Sequence, residues 1–314
     1  MSEFHHVSVL LEECIEGLNI RPDGIYVDGT LGGAGHSRRS GAMLTTGRLI
    51  GCDRDPVALE AAGKRVEPWK DRVTLVHSNF CEIASVLKQL NIDGVDGILL
   101  DLGVSSPQLD DPTRGFSYMN DAPLDMRMDA SAPLTAREVV NLWSYEELRR
   151  ILYDYGEERY APAIAKNIVR TRETTPIETT LQLVDVIKAA MPPAALREKQ
   201  HPAKRSFQAI RIAVNGELDA LPPMLESATE LLKPGGRLAV ITFHSLEDRI
   251  VKKTMQSLAT GCTCPPSFPV CVCGKKPRVK LITRKPIISG EAELDDNPRA
   301  RSAKLRVAEK CGQD

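Results

Sequence analysis

The sequence predicts a mixed α/β protein in which a parallel sheet is interrupted by a helical insert. Over residues 24–101, short apolar runs rich in β-branched side chains alternate with segments of helical spacing. That alternation is typical of a parallel sheet with helices on its faces. From about residue 108 to residue 215 no run resembles a buried strand, and helical spacing recurs instead. A further strand pattern, Arg237–Phe243, indicates that the sheet then resumes.

Four predicted strands precede the insert, and each is a short, mainly apolar run. They are Ile25–Asp28, Arg48–Asp53, Val73–His77 and Val95–Asp101. Between them we predict three helices, of which one ends near Met43, one begins at Asp55-Pro56 and one spans residues 83–90. Proline is tolerated in a first helical turn because the N–H that it lacks would have no acceptor within the helix.

The remaining elements are predicted from helical spacing and from turn residues. In the insert, helices are predicted at residues 136–142, 145–153, 161–171 and 179–190. A helix over 216–232 and the turn Lys233–Gly236 lead into the resumed strand, and Ser245 or Asp248 can cap the helix after it. The last strands, expected to be antiparallel, are 279–282 and 303–308. The predicted domains are 1–107 with 216–314, which share the sheet, and the inserted helical domain 108–215.

Composition restricts the classes to which the protein can belong. With 314 residues, of which 42% are apolar and 26% charged, the chain can bury an ample core. No apolar run approaches the ~18 residues of a membrane span, and the first ten residues lack the features of a signal peptide. We therefore expect a cytoplasmic protein with no membrane partner. Its eight cysteines are expected to be thiols or metal ligands rather than disulfides.

The formal net charge of −1 does not indicate a nucleic-acid partner, but basic residues are concentrated in two stretches. Residues 275–310 contain 11 Lys or Arg against 5 Asp or Glu, and residues 197–211 contain 5 against 1. Such stretches favour a local phosphate-binding face. An ordinary solvated surface explains a charge run equally well, so both interpretations stay open.

A glycine-rich turn directly follows the first strand. Glycines occupy positions 29, 32, 33 and 35, which indicates a backbone that comes close to a ligand. Asp28, Asp53 and Asp101 each end a predicted strand, and in parallel sheets ligands lie beyond the carboxyl ends of the strands. Asp53 follows Gly35 at nearly the ~20-residue offset of an acid that bonds ribose hydroxyls. The turn contains His36 and no basic residue, so a ligand with a ribose and a zwitterionic tail, such as S-adenosylmethionine, fits better than a pyrophosphate.

Six segments together resemble the bacterial RsmH (MraW) family and cover nearly the whole chain. They are residues 26–36 (YVDGTLGGAGH), 101–108 (DLGVSSPQ), 114–118 (RGFSY), 201–215 (HPAKRSFQAIRIAVN), 243–249 (FHSLEDR) and 297–306 (NPRARSAKLR). The resemblance implies a Rossmann-like class I S-adenosylmethionine-dependent methyltransferase sheet with an inserted helical substrate-recognition domain. It also implies an enzyme that methylates the N4 amine of a cytidine in the decoding region of 16S rRNA, within the small ribosomal subunit.

The resemblance assigns cofactor contacts by matching motifs. They are Ala34, Gly35 and His36 in the glycine turn, Asp53 on the ribose, Phe80 beside the adenine, and Asp101 and Gln108. For Phe80, burial statistics favour ordinary core packing as the alternative.

The catalytic groups are predicted from what the reaction needs, which is close positioning of the two reactants and acceptors for the hydrogens of the amine. Amino-methyltransferases carry an acid or amide, prolines and an aromatic after the fourth strand, whereas this chain has Ser105-Ser106-Pro107-Gln108. Ser106, Pro107 and His244 are the predicted catalytic residues. His244 could contact the cytosine or accept its proton, or it could be a structural hydrogen-bonding group.

Two further sets of residues have alternative interpretations. Phe116 and Tyr118 are predicted to stack on a flipped base or to fill the core. Lys204, Arg205 and Arg211 are predicted to contact phosphates or the acids of the insert itself.

The cysteines fall into two groups. Cys262, Cys264, Cys271 and Cys273 lie within twelve positions, and four thiolates would complete a tetrahedral structural zinc site. C-x-C spacing is less diagnostic than C-x-x-C, so unligated thiols are the alternative. Cys14, Cys52 and Cys81 are interpreted as small buried residues.

Two other functions compete with RNA methylation. A DNA amino-methyltransferase is disfavoured by the missing proline-proline-aromatic signature. A non-catalytic ribosome assembly factor that retains the fold is disfavoured by Asp53, Asp101 and the glycine turn. Cofactor binding would separate that factor from the enzymes.

Overall fold

The structure, a computed structural model, describes residues 8–265, 268, 270 and 272–312, without the side chain of Pro107. The chain forms two compact units. One unit combines the part up to Gly103 with the part from Leu218 onward, and the other is Val104–Glu217. These divisions lie a few residues from the predicted boundaries at 107/108 and 215/216.

In the described residues, a mixed sheet of seven strands forms the centre of the first unit. The strands are β1 (Ile25–Asp28), β2 (Arg48–Asp53), β3 (Val73–His77), β4 (Val95–Asp101), β5 (Leu232–Thr242), β6 (Val279–Leu281) and β7 (Lys304–Lys310). Their order across the sheet is β3-β2-β1-β4-β5-β7-β6. The first five strands are parallel, and β7 is antiparallel to both of its neighbours. Because β2, β1 and β4 are adjacent, Asp53, Asp28 and Asp101 end neighbouring strands at one edge, and the predicted mixed α/β fold is confirmed.

The start of β5 differs from the prediction. Leu232 pairs with Val95 and Arg237 pairs with Gly97, so the residues between Leu232 and Arg237 form an irregularity within the strand. Gly235 has a φ of +79°, a conformation that glycine adopts without strain. The turn predicted at Lys233–Gly236 is therefore part of β5 rather than a connection in front of it.

Helices flank the sheet strands in the first unit. Before the insert these are α1 (Leu11–Leu18), α2 (Gly35–Met43), α3 (Pro56–Val66) and α4 (Ile83–Gln89). Helix α3 begins as predicted, with Pro56 in its first turn and the Asp55 side chain accepting the Val57 N–H at 3.0 Å. One core cluster of this unit includes Leu99 of β4, Ile241 of β5 and Leu305 of β7.

The second unit is helical, and several of its helices begin at sequence-encoded caps. Its helices are α5 (Ser106–Asp110), α6 (Ala136–Leu142), α7 (Tyr145–Asp154), α8 (Ala161–Arg172), α9 (Thr180–Ala189) and α10 (Lys204–Asn215). Reciprocal side-chain-to-backbone bonds join Thr135 with Glu138, Ser144 with Glu147, and Thr179 with Gln182. The core of this unit includes Val139, Ile151, Ile164, Leu183 and Ile210.

The helices described after the insert are α11 (Leu221–Leu231), α12 (Ser245–Ala259) and α13 (Glu291–Asp296). Within the described ranges, no helix combines the length and the apolar character needed to cross a bilayer.

Candidate cofactor and catalytic site

The turn after β1 is ordered by the carboxylate of Asp28. This side chain is 3% exposed; Oδ1 accepts the Thr30 N–H at 3.2 Å, and Oδ2 accepts the Ser37 hydroxyl at 2.7 Å. Burial raises the pKa of Asp28 to about 6, although the bonds from Ser37 and Thr30 act in the opposite direction. Asp28 therefore joins the glycine turn to helix α2.

Two glycines fit the shape of this turn. A Cβ on Gly29 would lie 2.7 Å from Leu100 Cδ2, so a side chain there would displace the Leu100 side chain of β4. Gly32 has a φ of +47°, in the left-handed region, and its N–H donates to Asp53 Oδ2 at 2.7 Å. The glycine turn thus also orients the acid at the end of β2.

The carboxylate of Asp53 is held from two sides by backbone N–H groups. Gly32 donates to Oδ2, and Asp55 donates to Oδ1 at 2.8 Å. Burial raises the pKa of Asp53, and the two N–H bonds partly offset that effect. Each carboxylate oxygen can accept a second bond, so the side chain is a fixed acceptor suited to hydroxyl groups.

Asp101 presents a buried oxygen without a protein donor. Its backbone N–H donates to Thr30 Oγ1 at 2.5 Å, and its Oδ2 lies 4.0 Å from His36 Nδ1. Oδ1 is buried and has no hydrogen-bond partner among the described residues. Burial, with smaller contributions from Asp28 and Glu247, raises the pKa of Asp101 well above its usual range. Buried polar atoms are normally paired, so this oxygen is a position where a ligand donor fits.

The first turn of α2 offers backbone rather than side-chain contacts. Ala34 lies in the left-handed region with a φ of +57°, and no side chain among the described residues caps the helix that begins at Gly35. The His36 ring is 5% exposed, with Nε2 3.0 Å from the carbonyl oxygen of Val9. Backbone N–H groups at a helix start attract anionic groups. The Ala34 N–H already donates to the carbonyl oxygen of Leu31 at 2.7 Å, so Gly35 and His36 are the positions that can contribute through the main chain.

Phe80 opens a short 3₁₀ helix after β3, Phe80–Glu82. Its side chain is 8% exposed, and the Arg54 guanidinium carbon lies 6.0 Å from the ring centroid. The neighbouring Cys81 is exposed, so its interpretation as a small buried residue is wrong, whereas Cys14 and Cys52 are buried as predicted.

His244 is the N-cap of α12, so the prediction of Ser245 or Asp248 as the cap is wrong. Its Nδ1 accepts the Glu247 N–H at 3.4 Å, while Glu247 Oε2 accepts the N–H of Phe243 at 2.8 Å and that of His244 at 3.3 Å. Nε2 is buried and lies 3.1 Å from Glu247 Oε1, but the two atoms do not have the geometry of a hydrogen bond. The structure therefore gives His244 a capping role through Nδ1.

The remaining predicted site residues belong to the helical unit. Ser106 opens α5, and Gln108 is buried with its Oε1 accepting the Ser105 N–H at 3.1 Å. The side chain of Pro107 lies outside the described part of the structure.

The two aromatic residues of segment 114–118 have different environments. Phe116 is 7% exposed and belongs to the core of the helical unit. Tyr118 stacks on His201, with 4.6 Å between ring centroids and an interplanar angle of 14°, and it forms a T-shaped contact with Phe207. Burial and Lys188 lower the pKa of His201, which favours a neutral ring in this stack.

Much of the basic charge is paired within the protein. Arg211 forms two hydrogen bonds with Glu217, at 2.9 and 2.8 Å. Its charge is therefore paired with an acid of the helical unit, which is the second of its two predicted roles. Arg306 and Lys304 of β7 both contact Asp248 of α12. Burial alone would raise the pKa of Asp248, but these two cations lower it below its usual range. The 275–310 stretch is therefore partly a source of internal ion pairs.

Two positions of this site were missed by the sequence predictions. Thr30 fixes the backbone of Asp101, and Glu247 fixes those of Phe243 and His244. Glu247 carries a signal, since Glu at the third helical position is typical of a reciprocal cap. Thr30 carries none, because its partner is 71 residues away in the chain.

The comparisons with known proteins all indicate the same family. Residues 3–311 match the model of the MraW methylase family. The chain is 59% identical over 308 residues to "Ribosomal RNA small subunit methyltransferase H" of Brevibacillus brevis, covering 98% of both proteins. A protein of the same name from Citrifermentans bemidjiense is 56% identical over 314 residues, covering 99% of this chain and all of the relative. A third, from Symbiobacterium thermophilum, is 58% identical over 311 residues, covering 98% of this chain and 97% of the relative. The chain therefore belongs to the MraW methylase family and is an S-adenosylmethionine-dependent methyltransferase.

Proposed function

We propose that the protein methylates the exocyclic N4 amine of a cytidine in the decoding region of 16S rRNA. The observation that carries the proposal is the full-length identity of 56–59% to proteins named as small-subunit ribosomal RNA methyltransferases. The choice of atom and region rests on the RsmH-like segments of the sequence. Ribosomal RNA as substrate implies a cytoplasmic location.

The cofactor-binding residues proposed are those at the carboxyl edge of the sheet. When bound, S-adenosylmethionine supplies the methyl group from its sulfonium. Asp53, oriented by two N–H donors, would accept the ribose hydroxyls, and the uncapped start of α2 would face the carboxylate of the methionine moiety. Phe80 would lie beside the adenine. The buried, unpaired Oδ1 of Asp101 would accept a donor of the cofactor, with Gln108 as the remaining contact.

The catalytic residues proposed are Ser106, Pro107 and His244. Their task would be to orient the amine, because its lone pair is delocalised into the cytosine ring and attacks only when the group is correctly positioned. The cap on α12 uses Nδ1 of His244 as an acceptor, and Nε2 is buried 3.1 Å from Glu247 Oε1. Contact between Nε2 and a substrate would therefore require the His244 side chain to move away from Glu247.

The helical unit is proposed to bind the RNA. The stacked pair of Tyr118 and His201 offers an aromatic surface on which a base can stack. Arg159, Lys199 and Lys204 of the same unit carry positive charge suited to phosphates, although Arg159 also lies 3.8 Å from Glu198.

Transfer of labelled methyl from S-adenosylmethionine tests this function. The acceptors are small ribosomal subunits that lack the modification, and the RNA is then hydrolysed and its nucleosides are separated. Label in N4-methylcytidine is expected. No label from a protein that binds the cofactor would overturn the RNA substrate, and label in another nucleoside would overturn the choice of atom.

The form of the substrate is tested in the same assay. If the helical unit recognises folded RNA, intact subunits should be methylated much faster than short oligonucleotides that contain the target cytidine. Equal turnover on both substrates would contradict recognition of the assembled particle.

A further inference from the structure

The connection between α12 and β6 is a long loop with little packing of its own. It spans residues 260–278, and its base is closed by the Arg278 N–H, which donates to the carbonyl oxygen of Leu258 at 2.8 Å. None of the described residues of this loop is buried. Its large apolar side chains, Phe268, Val270 and Val272, are 50%, 71% and 72% exposed. Loops of this length without secondary structure are uncommon in compact domains, and those that are ordered need contacts other than apolar packing.

Three thiols of this loop converge. Cys262, Cys264 and Cys273 have Sγ atoms that all lie within 4.8 Å of one another. A tetrahedral zinc with Zn–S bonds of about 2.3 Å holds its sulfurs about 3.8 Å apart. Cys262 Sγ and Cys273 Sγ are 3.8 Å apart. The Cys262–Cys273 pair therefore already has the spacing that zinc requires, and Cys264 Sγ lies within 4.8 Å of both.

The backbone orients two of these sulfurs. The Cys264 N–H donates to Cys262 Sγ, and the Val272 N–H donates to Cys264 Sγ, each at 3.4 Å. Bonds of this kind fix the direction of a thiolate and stabilise its negative charge, as the groups around metal ligands do. Both C-x-C segments thus take part in one arrangement.

We propose that Cys262, Cys264 and Cys273 bind a zinc ion that orders the loop between α12 and β6. Thiolate sulfur is the ligand type that selects zinc over the hard cations. Cys271, the fourth thiol predicted from the sequence, lies outside the described residues, so the proposal rests on the other three. The site has a structural role and is independent of the methyl-transfer reaction.

A disulfide is the competing explanation for close cysteines. Sulfurs in a disulfide are about 2.05 Å apart, much less than the separation of Cys262 and Cys273. One disulfide would also use two of the three converging thiols and leave the third without a partner, whereas a metal uses all of them.

The metal content of the full-length protein tests the proposal directly. Protein purified without chelator and analysed by mass spectrometry of its elements should contain about one zinc per chain. After zinc is removed and replaced by Co²⁺, the absorption spectrum should show thiolate-to-cobalt charge transfer and the intense visible bands of tetrahedral cobalt. These readouts do not depend on enzyme activity.

Substitutions then locate the site. Cys264→Ser and Cys273→Ser should each lose the zinc, and Cys311→Ser, which removes a free cysteine outside the loop, should retain it. Full-length protein that contains no zinc and binds neither Zn²⁺ nor Co²⁺ would overturn the proposal, even if no variant could be purified. A Cys262–Cys273 disulfide in that protein, detected by peptide mapping, would overturn it in favour of a cross-link.

Discussion

The backbone N–H of Asp101 donates a hydrogen bond to the side-chain hydroxyl of Thr30, with 2.5 Å between the two atoms. Thr30 lies in the turn after β1, and Asp101 ends the neighbouring strand β4. The bond therefore couples the conformation of the glycine turn to the position of the carboxylate with the unpaired oxygen.

Replacing Thr30 tests that coupling. Thr30→Val removes the acceptor but keeps the shape, so the free energy of unfolding should fall by about 1–3 kcal/mol because a partly buried N–H loses its partner. Affinity for S-adenosylmethionine, measured by calorimetry, should fall as well. Thr30→Ser keeps the hydroxyl and is the control. If the valine variant equals wild type in both measurements, the Thr30–Asp101 hydrogen bond does not couple the glycine turn to the Asp101 carboxylate.

Asp53→Ala should weaken S-adenosylmethionine binding by about 1–3 kcal/mol through the loss of charge-assisted bonds. Asp53→Asn retains an acceptor oxygen and should have a smaller effect. Asp93→Ala, an exposed acid ahead of β4, is the matched control. Calorimetric titration gives the dissociation constants, and an unchanged value for Asp53→Ala would remove this residue from the site.

The stability of the cofactor-free protein should depend on the ionisation of Asp28. Its pKa is about 6 in the folded protein, against about 3.9 in an unfolded chain. An acid with a raised folded pKa binds a proton more tightly when folded, so its contribution to stability falls as pH rises from about 4 to about 6. The loss is complete above that range and amounts to at most about 3 kcal/mol.

Urea unfolding of wild type and Asp28→Asn measures this contribution. Asparagine keeps the shape and can still pair with Thr30 and Ser37, but it does not ionise. The difference in unfolding free energy between variant and wild type should therefore shift in favour of the variant as pH rises between about 4 and about 6. A difference that is constant with pH would mean that Asp28 titrates normally.

His244→Asn separates the two roles of this histidine. Asparagine is an effective N-cap, so the variant should keep its unfolding free energy within about 1 kcal/mol, whereas His244→Ala should lose about 1 kcal/mol. If the imidazole contacts the acceptor base, both variants should lower kcat by about 100-fold with unchanged cofactor affinity. Wild-type kcat in the asparagine variant would assign His244 to capping alone.

Tyr118→Ala should weaken binding of the RNA substrate by about 1–3 kcal/mol if a base stacks on the Tyr118–His201 pair. Tyr118→Phe keeps the ring and should bind normally. Tyr153→Ala removes an aromatic side chain that is 68% exposed on α7 and serves as the control for non-specific effects. Filter binding at fixed salt compares the variants, and equal affinities for Tyr118→Ala and Tyr153→Ala would exclude the stacking role.

Much of the fold could be predicted because its signals are local. The bounds of β1 to β4 match the structure, since each strand is a compact apolar run. The helices α6, α7 and α9 start where Thr or Ser precedes Glu or Gln by three positions. The start of β5 was not predictable, because Lys-Pro-Gly-Gly has turn chemistry and only the pairing with β4 keeps it in the sheet.

The positions of three site residues could be predicted from the ends of the parallel strands. Asp28, Asp53 and Asp101 follow from parallel strands that end at one edge. The hydrogen bonding of these three carboxylates does not follow from the strand ends. Nearby donors bind the carboxylates of Asp28 and Asp53, whereas Asp101 has an oxygen without a donor. The sequence allowed His244 a structural hydrogen-bonding role but did not identify it as the N-cap, because histidine is an unusual N-cap and only the position of Glu247 indicates it.

The position of β7 has a consequence for how the protein folds as it is synthesised. β7 comes after β6 in the chain but lies between β5 and β6 in the sheet. Until Lys304–Lys310 has left the ribosome, β6 has no strand to pair with and β5 presents an open edge, a surface that promotes aggregation. The sheet can therefore be completed only after nearly all of the described sequence has been made, and β7 is the strand that completes it.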